Sequence, residues 1–176
     1  MLIWFIIMIG VIALDQITKW LAVEFLTKVD TFPIIEDVLH LTYLENKGAA
    51  FGMLKNNRWV FLLISTVAII ALLIFIIKNP PKNKWLGLGI SFIVGGGIGN
   101  MIDRTCLGYV VDFIDIRLIK IPIFNLVDFT GFRLINFAIF NVADSFVCIG
   151  AVLVFIYIFF FYDEKRGENG NSVDSK

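Results

Sequence analysis

Residues 85–104 read WLGLGISFIVGGGIGNMIDR, a run that is apolar over most of its length and ends with Asn100, Asp103 and Arg104. A helix of about 20 residues crosses the roughly 30 Å hydrocarbon layer of a bilayer. Small residues let helix backbones approach each other in a membrane, so Gly95-Gly96-Gly97-Ile98-Gly99 predicts close packing against a neighbouring helix. The glycines do not form a phosphate loop, because no Gly-Lys-Ser/Thr follows them and no strand precedes them.

Three other apolar runs have the length of a membrane span, at about 2–25, 59–77 and 142–162. The 176-residue chain is 59% hydrophobic and has a mean hydropathy of +0.86, which is typical of a polytopic membrane protein. The first run lacks a basic leading segment and a small-x-small cleavage site, so we interpret it as a retained span. The sequence therefore predicts an all-α membrane protein with four transmembrane helices.

The loop KNPPKNK at 78–84 sets the predicted orientation, because short lysine-bearing loops stay in the cytoplasm. Both termini are then cytoplasmic, and the segments 26–58 and 105–141 lie outside. Alternating and β-branched stretches in these outer segments, such as 38–44, predict short strands that form a small extracytoplasmic β-platform. We expect one membrane-embedded domain over 1–162 and a polar cytoplasmic tail at 163–176.

Four carboxylates fall at the outer end of this predicted bundle. Asp15 lies in the outer half of the first span, Asp103 ends the third, Asp112 follows it and Asp144 opens the fourth. An Asp at mid-membrane costs about 2.5–3.5 kcal/mol on insertion scales, so an unpaired one is expected only where it has a function. The convergence predicts acid–base chemistry at the outer membrane surface.

Two charged pairs are candidates for support. Asp15 and Lys19 are four residues apart on one helix and can pair. The pair either neutralises itself so that the helix inserts, or holds a loop or substrate near the interface; we favour a structural Asp15 with Lys19 as an anchor. Asp103 and Arg104 are interpreted as a support pair, in preference to a catalytic Asp103.

Asp112 and Asp144 are the candidates for catalysis. Asp112 lies in an apolar stretch, and two neighbouring carboxylates share a proton, which lets one act as base and the other as acid. Such a pair activates water against a peptide bond without a metal or a covalent intermediate. Asp144 is also well placed to cap the N-terminus of the fourth span. The residues alone leave both interpretations of Asp144 open.

Other residue types exclude several kinds of site. Cys106, Cys148 and the single His40 have no metal-ligand spacing, so we predict no metal and no cofactor. The cysteines are interpreted as structural filler and His40 as a loop or strand residue. The formal net charge is zero and no basic patch is interleaved with aromatics, which argues against nucleic acid as a partner.

Five motifs in order resemble the lipoprotein signal peptidases, or signal peptidase II, over almost the whole chain. They are Asp15-Gln-Ile-Thr-Lys19, Asn46-Lys-Gly-Ala-Ala-Phe-Gly52, Gly96-Gly-Ile-Gly-Asn100-Met-Ile-Asp103-Arg104, Val110-Val-Asp112-Phe-Ile and Phe140-Asn141-Val-Ala-Asp144-Ser145. The resemblance implies an aspartyl endopeptidase of the bacterial cytoplasmic membrane that cleaves prolipoproteins just before a diacylglyceryl-modified cysteine. It also implies four helices with a β-platform, an active site near the outer face, and inhibition by globomycin.

The resemblance assigns the catalytic pair to Asp112 and Asp144. It assigns supporting roles to a set of mostly polar residues: Asp15, Lys19, Asn46, Asn100, Asp103, Arg104 and Asn141. From the residues themselves we add the hypothesis that Asn100, Asn141 and the loop around Gly48 hold the substrate backbone. One departure is a longer stretch between the two catalytic motifs, roughly 117–136, to which we assign no function. It contains Phe124-Asn125-Leu-Val-Asp128, and Asp128 is therefore a rival to Asp144.

Two further functions compete with the peptidase. Intramembrane carboxylates also mark ion paths, so an ion- or proton-translocating protein is the alternative. It needs polar residues through the full depth, whereas the span at 59–77 offers only Ser65 and Thr66. A purely structural subunit ranks last. As partners we expect lipidated prolipoproteins and membrane lipid, and the protein is expected to be a monomer.

Overall fold

A computed structural model of the chain describes residues 1–36, 38–48, 58–117 and 139–162. Four helices lie within about two residues of the predicted apolar runs: α1 (Leu2–Leu26), α2 (Arg58–Lys78), α3 (Lys84–Cys106) and α4 (Val142–Phe161). Of these, α1, α3 and α4 are long and apolar enough to cross a membrane. The apolar part of α2, Leu62–Lys78, is shorter, so the predicted span at 59–77 is not confirmed.

Helix α3 is the centre of the bundle, because its glycines face three different helices. A Cβ added at Gly95 would lie 2.8 Å from the Cβ of Val11 on α1, and one at Gly97 would lie 3.0 Å from Ile69 on α2. At Gly96 it would lie 2.5 Å from the carbonyl oxygen of Ala143 on α4. The absence of side chains therefore lets three helices approach one backbone, as the glycine run predicted.

The helix directions follow from which residues meet. Gly87 lies against Trp4 near the start of α1, and Gly99 lies against Asp15 eleven residues further along α1, so α1 and α3 run parallel. Gly89 lies against Val154 on α4, whereas Gly96 meets Ala143, so α3 and α4 run antiparallel. The C-terminal ends of α1 and α3 and the N-terminal end of α4 consequently lie at the same end of the bundle.

A three-stranded antiparallel sheet lies at that end, with strand order β1-β2-β3. Its strands are β1 (Thr31–Ile35), β2 (Leu39–Asn46) and β3 (Val110–Ile116). The predicted strands in both outer segments are confirmed, and His40 lies in β2. Val111 and Phe113 pack against Ala22 and Leu26 at the end of α1, which fixes β3 to the helices.

A tight turn carries the chain from α3 into β3. The N–H groups of Leu107 and Gly108 both donate to the carbonyl oxygen of Asp103. Gly108 has a φ of 86°, a conformation that side chains disfavour and glycine adopts readily. The turn reverses the chain immediately after the helix and places Asp112 close to Asp103.

Several sequence predictions lie outside the described residues. They include Asp128, all but the first residue of the extra stretch at 117–136, the part of the second motif at 49–52 and the tail at 163–176.

Candidate active site

The ends of α1, α3 and α4 bring together polar residues that are far apart in the sequence. The fixed point of this cluster is the ammonium group of Lys19, which is 3% exposed. Its Nζ lies 2.9 Å from Asp15 Oδ2 and 2.9 Å from Asp103 Oδ2, and it donates to Asn100 Oδ1 at 2.8 Å. One buried cation thus joins α1 to α3, and the predicted Asp15–Lys19 pair is present.

Asp15 also reaches the fourth helix. Its Oδ1 accepts a hydrogen bond from the backbone N–H of Ala143 at 3.0 Å, in the first turn of α4, where N–H groups have no partner within the helix. Because Asp15 is fully buried, this contact satisfies a donor that water does not reach. Asp15 therefore orients α4 as well as holding Lys19.

Asp103 holds the strand that carries Asp112. Its Oδ2 accepts from the backbone N–H of Val111 at 3.1 Å, and the same oxygen pairs with Lys19. The carboxylate of Asp103 therefore also pairs with Lys19 on the neighbouring helix, a contact that the sequence did not predict. Arg104 Nη1 donates to the carbonyl oxygen of Asn100 at 3.3 Å, and its charge interacts with Asp144, Asp112 and Asp103.

Asp112 is 1% exposed and receives an amide donor on each carboxylate oxygen. Asn46 Nδ2 donates to Oδ2 at 2.8 Å, and Asn141 Nδ2 donates to Oδ1 at 2.6 Å. Asn46 is itself oriented, because its Oδ1 accepts from the backbone N–H of Gly48 at 3.1 Å. The two amides fix the plane of the Asp112 carboxylate.

Asp144 forms a capping box with Asn141 at the start of α4. The backbone N–H of Asp144 donates to Asn141 Oδ1 at 2.9 Å, and the backbone N–H of Asn141 donates to Asp144 Oδ2 at 3.3 Å. The other oxygen, Oδ1, accepts from Asn100 Nδ2 at 2.8 Å. Asn141 is thus the N-cap, and Asp144 takes part in capping from the third position of the helix. Asp144 is partly exposed, unlike Asp112.

Asn141 connects the two candidate catalytic carboxylates. Its side-chain nitrogen binds Asp112, while its backbone N–H and side-chain oxygen bind Asp144. Asn100 adds a second bridge, because its Oδ1 accepts from Asn141 Nδ2 at 3.1 Å while its Nδ2 donates to Asp144. Both carboxylates are therefore held by one rigid pair of amides.

The environment of Asp112 favours its protonated form. The pKa of its carboxyl group is raised from 3.8 to about 6. Burial is the main cause and the negative charge of Asp144 adds to it, whereas the hydrogen bonds from Asn46 and Asn141 and the charge of Lys19 oppose the rise. The cluster as a whole contains four carboxylates and two cations, Lys19 and Arg104. Because the carboxylates outnumber the cations, the cluster has an excess of negative charge, which favours retention of a proton by one of the carboxyl groups.

Comparison with known proteins identifies the family to which this chain belongs. Residues 7–160 match the family described as Signal peptidase (SPase) II. A lipoprotein signal peptidase of Clostridioides difficile (strain 630) is 40% identical over 166 residues, which are 94% of this chain and 100% of that relative. The chain belongs to the signal peptidase II family. Membership makes it a peptidase, and hence a hydrolase, and confirms the resemblance seen in the five motifs.

Other members of the signal peptidase II family and solved structures agree. A lipoprotein signal peptidase of Brevibacillus brevis is 46% identical over 123 residues, 70% of this chain and 83% of that relative. A bacterial membrane enzyme solved by the in meso method at 2.3 Å resolution has a TM-score of 0.71 at 31% identity, covering 98% of this chain and 92% of that one. A second such structure, at 1.9 Å, has a TM-score of 0.72 at 33% identity, covering 90% and 93%.

Sequence reasoning gave no role to two groups in the site. Gln16 Nε2 lies within hydrogen-bonding distance of Asp15, Gly99 and Asp103, and the Ala143 N–H binds Asp15. Gln16 is part of the first motif, but nothing in that motif shows that it faces α3.

Within the described ranges, no group of His, Cys, Asp and Glu could hold a metal ion. Cys106 and Cys148 are exposed and do not form a disulfide with each other.

Proposed function

We propose that this protein is an aspartyl endopeptidase that removes the signal peptide from diacylglyceryl-modified prolipoproteins. It cleaves just before the lipidated cysteine, with a water molecule activated between Asp112 and Asp144. The observation that carries the proposal is the double bridge of Asn141 and Asn100, which holds a buried and a partly exposed carboxylate in one hydrogen-bonded unit. Membership of the signal peptidase II family supports lipoprotein precursors as the substrates.

The reaction requires that Asp112 and Asp144 together carry one proton. Asp144 takes a proton from water as the water oxygen bonds to the peptide carbonyl carbon. Asp112 gives its proton to the carbonyl oxygen, which forms a neutral tetrahedral diol. Asp144 then returns a proton to the amide nitrogen as the C–N bond breaks, and Asp112 recovers its proton from a hydroxyl group of the diol. Both carboxyl groups end in their starting states.

The raised pKa of Asp112 makes this state accessible at neutral pH. A carboxyl group with a pKa of about 6 is protonated in roughly one molecule in ten at pH 7, whereas one with the ordinary value is protonated in roughly one in 1,500. Burial therefore increases the active population by about two orders of magnitude. Binding of the substrate would exclude more water from the site and increase the population with a protonated Asp112 further.

The surrounding residues supply position rather than reacting atoms. Lys19, Asp15 and Asp103 hold the helix ends and the backbone beside Asp112, and Asn46, Asn100 and Asn141 orient the two carboxylates. Arg104 contributes positive charge to a cluster that gains negative charge if both acids ionise. Gly48 orients Asn46 through its N–H group, and we assign the loop around it to substrate backbone contacts.

The membrane brings the substrate to the site. In the proposed arrangement four helices span the bacterial cytoplasmic membrane, both termini and the loop at 78–84 are cytoplasmic, and the site lies at the outer interface. A diacylglyceryl group partitions into the outer leaflet, which places the neighbouring peptide bond at this depth. We propose a monomer with the domain at 1–162 and a cytoplasmic tail at 163–176, and globomycin as an inhibitor.

Ion translocation fits the described residues less well than proteolysis. The half of the bundle away from the sheet has an apolar interior that includes Met8, Ile76, Ile90 and Val94. Among the described residues there, the buried Ser91 hydroxyl donates to the Gly87 carbonyl oxygen of its own helix. Polarity confined to one end suits an enzyme, because a transport path needs polar groups through the full depth.

The direct test uses purified protein in detergent with a diacylglyceryl-modified precursor and its unmodified twin. Mass spectrometry of the products identifies the cleaved bond. The proposal predicts cleavage of the lipidated precursor immediately before the modified cysteine and much slower cleavage of the twin. Cleavage of neither precursor, or ion flux through liposomes without proteolysis, would contradict it.

A further inference from the structure

The three-stranded sheet has a polar face. Residues that lie directly opposite each other on neighbouring strands point to the same face of a sheet. Thr31 on β1 lies opposite Thr42 on β2, and their hydroxyl oxygens are 3.1 Å apart. The hydroxyl group of Thr42 donates to Asp115 on β3. One face therefore carries a row of hydrogen-bonded polar side chains across all three strands.

The other face is apolar. It has two rows that each take one residue from β1, β2 and β3: Phe32, Leu41 and Ile114, and Ile35, Leu39 and Ile116. Towards β3 this face is covered, because Leu41 and Ile114 pack against the apolar cluster at the end of α1. On β1 the same face is open, since Phe32 is 52% exposed and Ile35 is 54% exposed. The sheet thus extends beyond the helix end with an exposed apolar surface.

This surface adjoins the lipid-facing side of α1. Helix α1 is long and apolar enough to cross a membrane. Ile17, Leu21 and Phe25 are exposed, and their spacing of four places them along one side of the helix. Because residues 27–30 alone separate α1 from β1, β1 begins within about 17 Å of the helix end. A continuous apolar surface therefore runs from the side of α1 to the open face at β1.

We propose that β1 is a membrane anchor: the apolar face of the sheet inserts into the bilayer interface at this end of the bundle, and lipid covers Phe32, Ile34 and Ile35. An antiparallel sheet commonly keeps one face in an apolar environment and the other in water. In water, an edge strand with such exposed apolar side chains would invite pairing with another chain. Contact with lipid removes these side chains from water without a protein partner.

The neighbouring groups set the depth of insertion. Lys28 and Glu24 beside β1 form an exposed ion pair with a 2.6 Å contact, and charged groups are costly in hydrocarbon. The unpaired backbone groups of an edge strand also need water, although Pro33 has no N–H group to satisfy. These groups place β1 at the interface, where apolar side chains reach lipid and polar groups still reach water.

The anchor would fix the depth of the catalytic groups. The strand order β1-β2-β3 connects the anchor to the site, because Asn46 at the end of β2 donates to Asp112 on β3 at 2.8 Å. A sheet held in the lipid keeps Asp112 at a constant height relative to a membrane-anchored peptide bond. This consequence rests on the proposed function, whereas the insertion of β1 does not.

The first test measures depth without turnover. In a Cys106→Ser/Cys148→Ser background, a nitroxide spin label is attached at Phe32→Cys or Ile35→Cys, and the protein is reconstituted into phosphatidylcholine–phosphatidylglycerol vesicles. Arg117→Cys is the matched control, because Arg117 bonds to Asp115 on the polar face. We expect labels at 32 and 35 to relax faster with oxygen, which concentrates in lipid, than with a water-soluble nickel chelate. The label at 117 should show the reverse order.

Two results would overturn the inference. Labels at 32 and 35 that respond like the label at 117 would lie in water. Labels that neither reagent reaches would be covered by protein, either by another part of the chain or by a second copy.

The second test addresses the height of the site. Cleavage of a lipidated precursor by Phe32→Ser/Ile35→Ser is measured in the same vesicles and in detergent, with Arg117→Ser as the control. We expect the rate of the double variant to fall about 10-fold in vesicles, since small displacements from the reacting geometry are costly. Detergent adapts its shape around the protein, so the rate there should change little. Equal losses in both media would contradict a role in setting height. Failure of wild type to cleave any lipidated precursor would overturn the proposed function and leave the spin-label result standing.

Discussion

Replacing Asn141 by Ser separates the two roles that this side chain plays. Ser caps a helix about as well as Asn, so the capping of α4 persists, but its short side chain does not carry an amide donor to Asp112. The shortest lost contact is the 2.6 Å hydrogen bond to Asp112 Oδ1; the same nitrogen also donates to Asn100 Oδ1 and the Val111 carbonyl oxygen. A hydrogen bond to a charged group contributes about 1.5–3 kcal/mol, and one pKa unit corresponds to about 1.36 kcal/mol.

The sign of the effect follows from which form of Asp112 the bond stabilises. Asn141 donates to the ionised carboxylate and thereby lowers its pKa, against burial, which holds it near 6. Losing the donor raises the pKa by roughly one to two units. The alkaline limb of kcat/KM, where the pair loses its shared proton, should therefore move to higher pH. The plateau should fall about 10- to 100-fold because Asp112 is no longer held in place.

The assay is cleavage of a diacylglyceryl-modified precursor in detergent, with kcat/KM measured from acid to alkaline pH. Asn141→Ala is the matched variant, since it removes the cap as well as the donor. The alkaline limb of Asn141→Ala should match that of Asn141→Ser. Its free energy of unfolding should be lower by about 0.5–2 kcal/mol, because the cap is lost. A Ser variant with the wild-type plateau and limb would refute the assignment of Asn141 as the residue that orients Asp112.

Three further predictions concern the charge balance and the packing. In wild type, kcat/KM should decrease as pH rises above about 6, because Asp112 loses the shared proton; a profile that stays flat through neutral pH contradicts this. Lys19→Met should cost about 3–5 kcal/mol of stability in a detergent unfolding assay, since it leaves two buried carboxylates without their cation, and an unchanged unfolding midpoint would be inconsistent with the pairing. Gly96→Ala should cost about 1–3 kcal/mol and reduce activity, because its Cβ would lie 2.5 Å from the Ala143 carbonyl oxygen. Gly10→Ala is its control, as nothing lies within 4 Å of a Cβ there, and equal effects of the two changes would rule out close packing as the cause.

The sequence predicted the elements because their signals are local. Apolar runs of span length and alternating strands depend on neighbouring residues, and the helices and the small sheet lie where these patterns indicated. The glycine run correctly predicted close packing around α3. The meeting of Asp15, Asp103 and Asp144 at one end also followed, since alternating helix directions determine which ends coincide.

The partners within the site could not be predicted, because they depend on how each helix is rotated about its axis. Asp103 on α3 pairs with Lys19 on α1. Gln16 reaches Asp103 across 87 positions of sequence, and no local pattern carries that information. The residues left open whether Asp144 caps α4; in the structure Asn141 is the N-cap and Asp144 completes the capping box.

The most direct test of the account is the cleavage rate of Asp112→Asn and Asp144→Asn on a lipidated precursor. Asn is nearly isosteric with Asp but cannot exchange the proton. Asp115→Asn is the control, because Asp115 lies on the same strand but bonds to Thr42 and Arg117, away from the site. The account predicts that both site variants stay folded and lose at least about 10²-fold in rate, while the control keeps its activity. Retained cleavage by either site variant would contradict it, and loss of cleavage in Asp128→Asn with a working Asp144→Asn would transfer the second role to Asp128.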